Sequence, residues 1–486
     1  MITNDHGSRS FRLKVWVGVA GVGVGIVVGL LAGIQSLIPG LVMVAVTALV
    51  CFFTSFERTV IGLLILRSSL DLFSAQQLPA AFALGVDALA LLYVAVRLLT
   101  RQPVYTDGFF WLLVGWLMLQ GMWVVLLPLG ALGQDASFLP GTIREWFRYF
   151  SWVMVYLLVM QLRDRIHPEK IISMLLLSLI SPITVALIQI FLPSSVLPAL
   201  LTAQGKAGSN VSGTLGFPNG LGIFLTLFIA LVWWKMSSSQ PRWPWLLLLT
   251  LVAFVFVNTG YFTGLLAVIL LLLFINASKL TPVRIIGAVI ACIVVVALFG
   301  STEFGQQRLT EISQTPLLNP DIDASRAIIL SYGDSNSFNW RIAHWTLLLE
   351  SWKQAPILGH GLATSPYLGI RSLDSGGGYA AHNDYVKALV EQGILGLAIF
   401  LGFLGAQAIH LVRLLILAPQ NTSQRNLCLI LLALFLCNVV SMLSNNVLDA
   451  TTLFFYWWTL LAIAGWGTER WRTHQPIREP EIVQQE

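Results

Sequence analysis

The residue best suited to acid–base chemistry is His382, at the end of a long polar segment. It is followed by Asn383, Asp384 and Tyr385, where an apolar stretch begins. An imidazole changes its protonation near neutral pH and can act as a general base. Asn383 or Asp384 is suited to cap the helix that the apolar stretch predicts. The pattern favours either a catalytic histidine or a membrane-interface histidine beside an ordinary cap.

A second candidate lies earlier in the same polar segment. Arg341 begins a predicted helix, and Trp345 follows one turn later. A guanidinium fork binds phosphate or pyrophosphate through two parallel hydrogen bonds. The alternative is an arginine whose long side chain reaches lipid headgroups. His344 and His360 are weaker candidates, because histidines in loops are mostly solvated.

A third candidate is the segment 213–220, in which Gly and Pro permit an irregular backbone. Asn219 in this segment is suited to cap the helix that follows. Lys206 is the only cation of the loop that precedes it. The alternative interpretation is a turn and a cap with no further role.

A fourth candidate is the pair Arg144 and Arg148, which lie four residues apart and therefore on one helical face. Two arginines on one face of a membrane helix are costly unless they face a cavity or an anion. Glu145 is expected to neutralise part of their charge. Arg67 and Asp71 have the same spacing, and an internal ion pair is the favoured interpretation. Asp87 and Asp449 are lone acids in apolar surroundings, and the sequence assigns them no role.

These residues belong to a chain with few charges. Of its 486 residues, 56% are apolar and 10% are charged, against about 25% charged in a soluble domain. The mean hydropathy is +0.79. This composition excludes a soluble enzyme, a disordered chain and a disulfide scaffold, and indicates a polytopic membrane protein. The four cysteines all lie in apolar runs without metal-ligand spacing, so we expect no disulfide and no metal site.

Apolar runs long enough to cross a bilayer predict an all-α bundle of about 12–14 transmembrane helices. The two short runs around Asn258, Thr259 and Gly260 are either two helices or one bent helix, and run 58–74 is weak because it contains Arg67 and Asp71. The fourteen runs are 15–38, 39–55, 58–74, 79–99, 108–129, 142–162, 169–192, 215–235, 243–258, 260–277, 283–300, 385–412, 426–442 and 447–466.

The runs divide the chain into four predicted regions. An N-terminal bundle spans 1–300 and includes an outer loop at 193–214; a large extracytoplasmic loop spans 301–384; C-terminal helices span 385–466; a cytoplasmic tail spans 467–486. Within the large loop, apolar residues at helical spacing predict an amphipathic helix over 340–354, which lies on the membrane face or roofs the bundle.

Positive charges orient the predicted bundle. With both termini in the cytoplasm, 18 of the 28 Lys and Arg residues fall on the inner side, as the positive-inside rule requires. The other ten lie in spans or on the outer face and include all the basic candidates named above, which are Arg67, Arg144, Arg148, Lys206 and Arg341. P-loop, GxSxG and HExxH motifs do not occur. We therefore expect chemistry at the outer face to use a pre-activated donor that the membrane delivers. We expect neither a cofactor nor a nucleic-acid partner.

The ordered motifs resemble the O-antigen ligase and O-antigen polymerase superfamily of bacterial membrane glycosyltransferases. Most of the chain resembles the family in topology, and 339–396 resembles it in specific residues. The matching residues are Arg341 and Trp345; Pro356, Gly359 and Gly361; His382 and Asn383; Glu391, Gly393 and Gly396; and Gly213, Thr214, Pro218 and Asn219. The family's Arg before Gly-Thr is replaced here by Asn210 and Val211.

This resemblance implies a metal-independent GT-C-like bundle that transfers a glycan from undecaprenyl pyrophosphate with inversion. His382 would take the proton of the acceptor hydroxyl, and Arg341 would hold the pyrophosphate. Further substrate-binding residues would be Arg144, Arg148, Lys206, Asn219, Trp345, Asn383 and Tyr385. The enzyme would lie in the bacterial inner membrane with its site on the periplasmic face.

The acceptor stays open at this stage. A polymerase would use another lipid-linked repeat unit and is preferred because the outer loop is long; a ligase would use a lipid A core. An O-linked protein glycosyltransferase and a transporter of bicarbonate or another small anion are the remaining alternatives. A chain-length regulator is left open as a further partner.

Overall fold

The computed structural model describes residues 37–193, 195–198, 201, 211–276, 321–331, 337–370 and 378–467, with isolated positions between 297 and 319. In these residues the regular structure is helical. The predicted runs 15–38 and 283–300 lie almost wholly outside them, as do Lys206 and the tail beyond 467.

Sixteen α-helices occur in the described part of the chain. They are α1 (Leu37–Thr54), α2 (Phe56–Leu66), α3 (Leu78–Leu99), α4 (Gly108–Leu126), α5 (Leu139–Met160), α6 (Pro168–Leu175), α7 (Ile180–Phe191), α8 (Pro218–Ser238), α9 (Trp243–Asn258), α10 (Phe262–Asn276), α11 (Ala324–Ser331), α12 (Ser337–Trp352), α13 (Ser365–Leu368), α14 (Asp384–Leu417), α15 (Ser423–Ser441) and α16 (Thr451–Ala464).

Six helical segments of the described residues are long and apolar enough to cross a membrane. They are α3, α4, α8, α14, α15 and the continuous segment Pro168–Phe191 that contains α6 and α7. The shorter apolar helices α9 and α16 add to them. The prediction of an all-α polytopic membrane protein is confirmed.

One predicted span differs in detail from the structure, and the alternative left open near residue 260 is resolved. The run 58–74 is helical only to Leu66, after which short 3₁₀ turns carry Arg67 and Asp71. The pair of runs near residue 260 forms two helices, α9 and α10, because the backbone turns through a left-handed conformation at Gly260 (φ +64°).

The centre of the bundle is the contact between α5 and α16. Almost every side chain of α16 and of the second half of α5 is buried. Trp152 stacks on Phe454 at 4.3 Å and contacts Trp458 at 5.6 Å, both between ring centroids. The charged residues of α5 all lie in its first three turns, so they are collected at one end of this apolar core.

The helix α12, Ser337–Trp352, overlaps the predicted amphipathic range 340–354. Its buried Leu348 packs with Ala381 and Val390, and Trp352 and Val386 flank this small cluster. Its apolar side therefore contacts the start of α14, which favours the roofing arrangement over a helix lying only on the membrane face.

A break in α14 at Gly393 interlocks with the loop 356–361. Gly393 adopts φ +67° inside the helix. Four backbone hydrogen bonds join the two segments: His360 N to Val390 O, Gly361 N to Glu391 O, Ile394 N to Pro356 O and Leu395 N to Ile357 O, all between 2.7 and 3.2 Å. The loop thereby satisfies backbone groups that the break frees, which a helix in a membrane requires.

The glycines of this interlock are required by close backbone contact. A Cβ at Gly359 would overlap Gln392 N, and a Cβ at Gly393 would overlap Ile357 O. Both residues also have positive φ. Glu391 completes the joint, since its carboxylate accepts hydrogen bonds from Ala363 N at 3.0 Å and Ser365 Oγ at 2.6 Å.

We expect Gly393→Ala to destabilise the protein by about 3 kcal/mol or more, because it adds both left-handed strain and backbone overlap. Gly402→Ala is the matched control in the same helix, where a Cβ meets nothing within 4 Å, and should change stability by about 1 kcal/mol or less. Thermal unfolding of the purified proteins compares them. Equal melting temperatures would contradict the interlock.

Candidate active site

The loop 443–450, between α15 and α16, connects the candidate residues. Asn446 Oδ1 accepts a hydrogen bond from His382 N at 2.7 Å, and Asn445 Oδ1 accepts one from Asn219 Nδ2 at 3.3 Å. Asp449 Oδ1 lies 2.6 Å from Arg148 Nη1. One short loop therefore joins three groups that are far apart in sequence.

His382 is held by its neighbours on several sides. Its φ is +51°, an uncommon conformation for a residue other than Gly. Asn383 follows as the N-cap of α14, and its Oδ1 accepts from Tyr385 N and Val386 N. The ring of His382 meets the ring of Trp340 edge-on at 5.7 Å. These contacts fix the imidazole beside the N-terminus of α14.

The surroundings of His382 favour its neutral form. Burial, followed by the positive charge of Arg341 and the nearby His344, lowers its pKa from 6.5 to about 4, against the opposing effect of Asp449. At neutral pH the imidazole is therefore uncharged and able to accept a proton.

We expect Arg341→Gln to raise the pKa of His382 toward 6.5, because removing a neighbouring positive charge favours the imidazolium. The pH dependence of carbethoxylation of the His382 peptide, measured by mass spectrometry, reports this pKa. Arg326→Gln, at an exposed arginine on α11, is the matched control and should leave it unchanged. An unchanged or lowered pKa in Arg341→Gln would contradict the placement of Arg341.

Four charged side chains form a network behind His382. Lys387 Nζ lies 3.0 Å from Glu145 Oε1 and 2.8 Å from Asp449 Oδ1. Arg148 Nη1 lies 2.9 Å from Glu145 Oε2 and 2.6 Å from Asp449 Oδ1. Burial raises the pKa of Asp449, but Lys387 and Arg148 outweigh burial and hold it well below its usual range. The four charges balance, so this network is internally neutral.

Two adjoining cavities lie beside the network. The first, of about 440 Å³, has a mainly apolar wall from α3, α5 and α16; the second, of about 360 Å³, is lined by Asp71, Asp449 and the segment that includes Gly216 and Phe217. Arg144 and Arg148 line both cavities. Arg144 is exposed, and it donates a hydrogen bond to Gln77 Oε1 at 3.3 Å. The arrangement suits a molecule with an apolar part and an anionic part.

Part of the chain matches a known family. Residues 247–401 match the family model Wzy_C, O-antigen ligase. The chain carries an O-antigen ligase domain. The resemblance inferred from the motifs is confirmed, and the activity is that of an O-antigen ligase-type membrane glycosyltransferase, which acts on a lipid-linked glycan and an acceptor. No curated protein matches the chain.

The O-antigen ligase domain contains α12, the 356–361 loop and His382, while the arginine cavities lie outside it. Arg144 and Arg148 belong to α5, and Asp449 follows the matched residues. The complete candidate site is therefore assembled from the matched domain together with α5 and the 443–450 loop.

Some sequence expectations are corrected. Asn219 does not cap α8: Phe217 is the N-cap residue, Pro218 follows, and the Asn219 side chain bonds Asn445 instead. His344 and His360 are buried and not solvated. Nδ1 of His344 accepts a hydrogen bond from Ile370 N, and the two ring nitrogens of His360 contact Gln134 and Ser351.

The structure shows the contacts of the other predicted residues. Arg67 and Asp71 form the expected ion pair at 2.7 Å. Trp345 Nε1 donates to Ala381 O at 2.7 Å, and Tyr385 OH donates to Val439 O at 2.8 Å. These two side chains thus support the backbone around His382, and their contact with substrate stays a prediction. Lys206 lies outside the described residues.

Several members of the site could not be recognised from the sequence. Asn446, Asp449 and Lys387 have no local pattern that points to His382 or Arg148. The sequence feature that could have indicated them is the polar segment 444–449, a Ser-Asn-Asn run followed by an acid, which lies between two apolar spans. Intramembrane ionisable residues are functional candidates by default, so Asp449 was the residue to pursue.

Proposed function

We propose that this protein is an extracytoplasmic glycosyltransferase that polymerises a glycan carried on undecaprenyl pyrophosphate. The proposal is supported mainly by the 443–450 loop, in which Asn446 contacts both the backbone N and the ring of His382 and Asp449 pairs with the cavity arginine Arg148. Transfer from an anionic lipid carrier requires a general base and a cationic cavity, and the 443–450 loop contacts both.

The proposed reaction is an inverting displacement without a metal ion. The acceptor hydroxyl attacks the anomeric carbon, His382 takes its proton, and the bond between that carbon and the pyrophosphate oxygen breaks, with the electron pair passing to the pyrophosphate. Arg341 and the exposed Arg144 stabilise the charge that develops. Arg148 contributes less net charge than expected from sequence, because Glu145 and Asp449 balance it.

The site is proposed to face the periplasm in the bacterial inner membrane, with both termini in the cytoplasm. The distribution of 18 of the 28 basic residues to the inner side supports this orientation. Undecaprenyl-linked donors in the outer leaflet would then reach the cavities from the membrane.

Polymerase is preferred over ligase because the outer loop is long and no feature marks a site for a core oligosaccharide. The test supplies purified protein with a lipid-linked repeat unit alone, with lipid A core, or with a peptide acceptor. A polymerase extends the repeat unit into a ladder with no second acceptor. A product formed only with lipid A core would identify a ligase instead. A product formed only with the peptide would identify a protein glycosyltransferase.

A small-anion transporter is the rival from another class. Transporters place their ionisable residues at broken helices near the bilayer midplane, and the break of α14 at Gly393 is one such feature. Backbone hydrogen bonds join the loop 356–361 to the residues around that break. This favours a structural role for the break. Anion flux into vesicles without glycan transfer would support the transporter.

A further inference from the structure

The side-chain amide of Asn446 contacts His382 at two points. Its Oδ1 lies 2.7 Å from the backbone N of His382, and its Nδ2 lies 3.3 Å from the ring atom Nδ1. The same amide therefore holds both the main chain and the imidazole of the candidate base.

The first contact fixes the direction of the amide. A backbone N–H can only donate a hydrogen bond, so the amide atom beside it must be the oxygen. The atom beside the ring is then the NH₂ group, which can only donate. His382 Nδ1 must accept from it, and a neutral imidazole has a single proton to place. That proton lies on Nε2.

We propose that Asn446 is a positioning residue that sets the tautomer of His382, making Nδ1 the atom that takes the acceptor proton. The inference rests on the proposed transferase function for the identity of the step. In that step the O–H bond of the acceptor breaks, the Nδ1–H bond forms, and Nε2 keeps its proton, so the ring becomes positively charged.

The geometry leaves room for this exchange. The 3.3 Å contact is longer than an ordinary hydrogen bond of 2.7–3.2 Å. An acceptor hydroxyl can therefore replace the amide at Nδ1 at small cost. Because Nδ1 faces the 443–450 loop, the acceptor approaches from the side on which Asn445 bonds Asn219.

The charged surroundings act in the same direction as the amide. A donor directed at the lone pair favours the neutral imidazole, as do Arg341 and His344 from α12, while Asp449 on the loop favours the charged form. The base is kept unprotonated at neutral pH, with its lone pair already oriented.

The test is nitrogen NMR of protein labelled with ¹⁵N-histidine, in which the His382 signals are identified by their loss in His382→Gln. In the wild type at pH 7, Nδ1 should give the signal of an unprotonated nitrogen and Nε2 that of a protonated one. Asn446→Asp should reverse them, because a carboxylate accepts a hydrogen bond from a protonated Nδ1. Asn445→Asp adds the same charge one residue away and should keep the wild-type tautomer.

A protonated Nδ1 in the wild type overturns the inference, and so does an unreversed tautomer in a folded Asn446→Asp protein. The wild-type spectrum alone decides the matter if Asn446→Asp fails to fold. The spectrum needs no substrate, so absence of transfer by the wild type would remove the transferase proposal and leave the tautomer assignment standing.

A kinetic readout separates positioning from mere support of the fold. Asn446→Asp should lower the rate of transfer by about 10- to 100-fold, which is part of the rate enhancement that a general base contributes. It should also move the acidic limb of the pH–rate profile to higher pH. A purely structural role would move that limb no further than Asn445→Asp does, since that variant adds the same charge one residue away. A limb that moves no further than in Asn445→Asp therefore contradicts the inference.

Discussion

Replacement of His382 by alanine is expected to lower the rate of glycan transfer by about 10²- to 10⁴-fold, the usual contribution of a general base. The protein should still fold. The main chain at this position is held by Asn446 and is followed by the Asn383 cap, and neither contact needs the imidazole.

The matched control is His410→Gln, which alters another partly buried histidine, in α14 at the opposite end from His382. Its ring stacks on Phe109 at 4.3 Å, and it touches none of the candidate site residues. Transfer by His410→Gln should remain within about threefold of the wild type, well below the loss assigned to a general base. Full activity in His382→Ala would exclude the base assignment.

Replacement of Lys387 by methionine is expected to destabilise the protein by about 3–5 kcal/mol, the cost of breaking a buried ion pair by removing one partner. Lys387 lies within 3.0 Å of Glu145 and Asp449, and only 9% of its side chain is exposed. Without it, two carboxylates share Arg148 alone, and the network carries an uncompensated negative charge.

A second substitution tests the charge balance directly. Glu145→Gln combined with Lys387→Met leaves the Arg148–Asp449 pair intact and should recover most of the lost stability, so the two changes are strongly non-additive. Lys353→Met is the control on an exposed pair, in which Lys353 lies 2.6 Å from Glu350 and is 62% exposed. It should cost about 1 kcal/mol or less. Equal costs for Lys387→Met and Lys353→Met would contradict the network.

Structural features that follow local rules could be predicted from sequence. The i,i+4 spacing of Arg67 and Asp71 indicated their ion pair, and the polar residue before an apolar run indicated that Asn383 or Asp384 caps α14. Asn383 is the cap, whereas Asp384 Oδ2 accepts from Leu448 N at 3.1 Å. Both predictions rest on contacts within one or two helical turns, which sequence spacing fixes.

The parts that depend on packing between distant segments could not be predicted. Lys387 and Glu145 are separated by 242 residues, and nothing near either residue identifies the other. Asn219 looked like a cap because it lies beside Pro at the start of a helix, but Pro218 occupies the first helical position and the Asn219 amide turns to Asn445. Tertiary contacts override local propensity at such positions.

The glycine motifs show a third relation between sequence and structure. Gly359 and Gly393 were recognised as members of family motifs, but their spacing did not reveal that the two motifs touch each other. The contact is between backbones, with no side chain that a sequence pattern could record. Their role in the structure is to join the large loop to α14 just beyond His382.

The most direct test of the central claim counts the undecaprenyl pyrophosphate released for each glycosidic bond formed by purified protein with a lipid-linked repeat unit. We predict that one carrier is released per bond and that His382→Ala releases almost none. Bond formation without release of the carrier, or release at the same rate with no bond formed, would contradict transfer from a pyrophosphate-linked donor at this site.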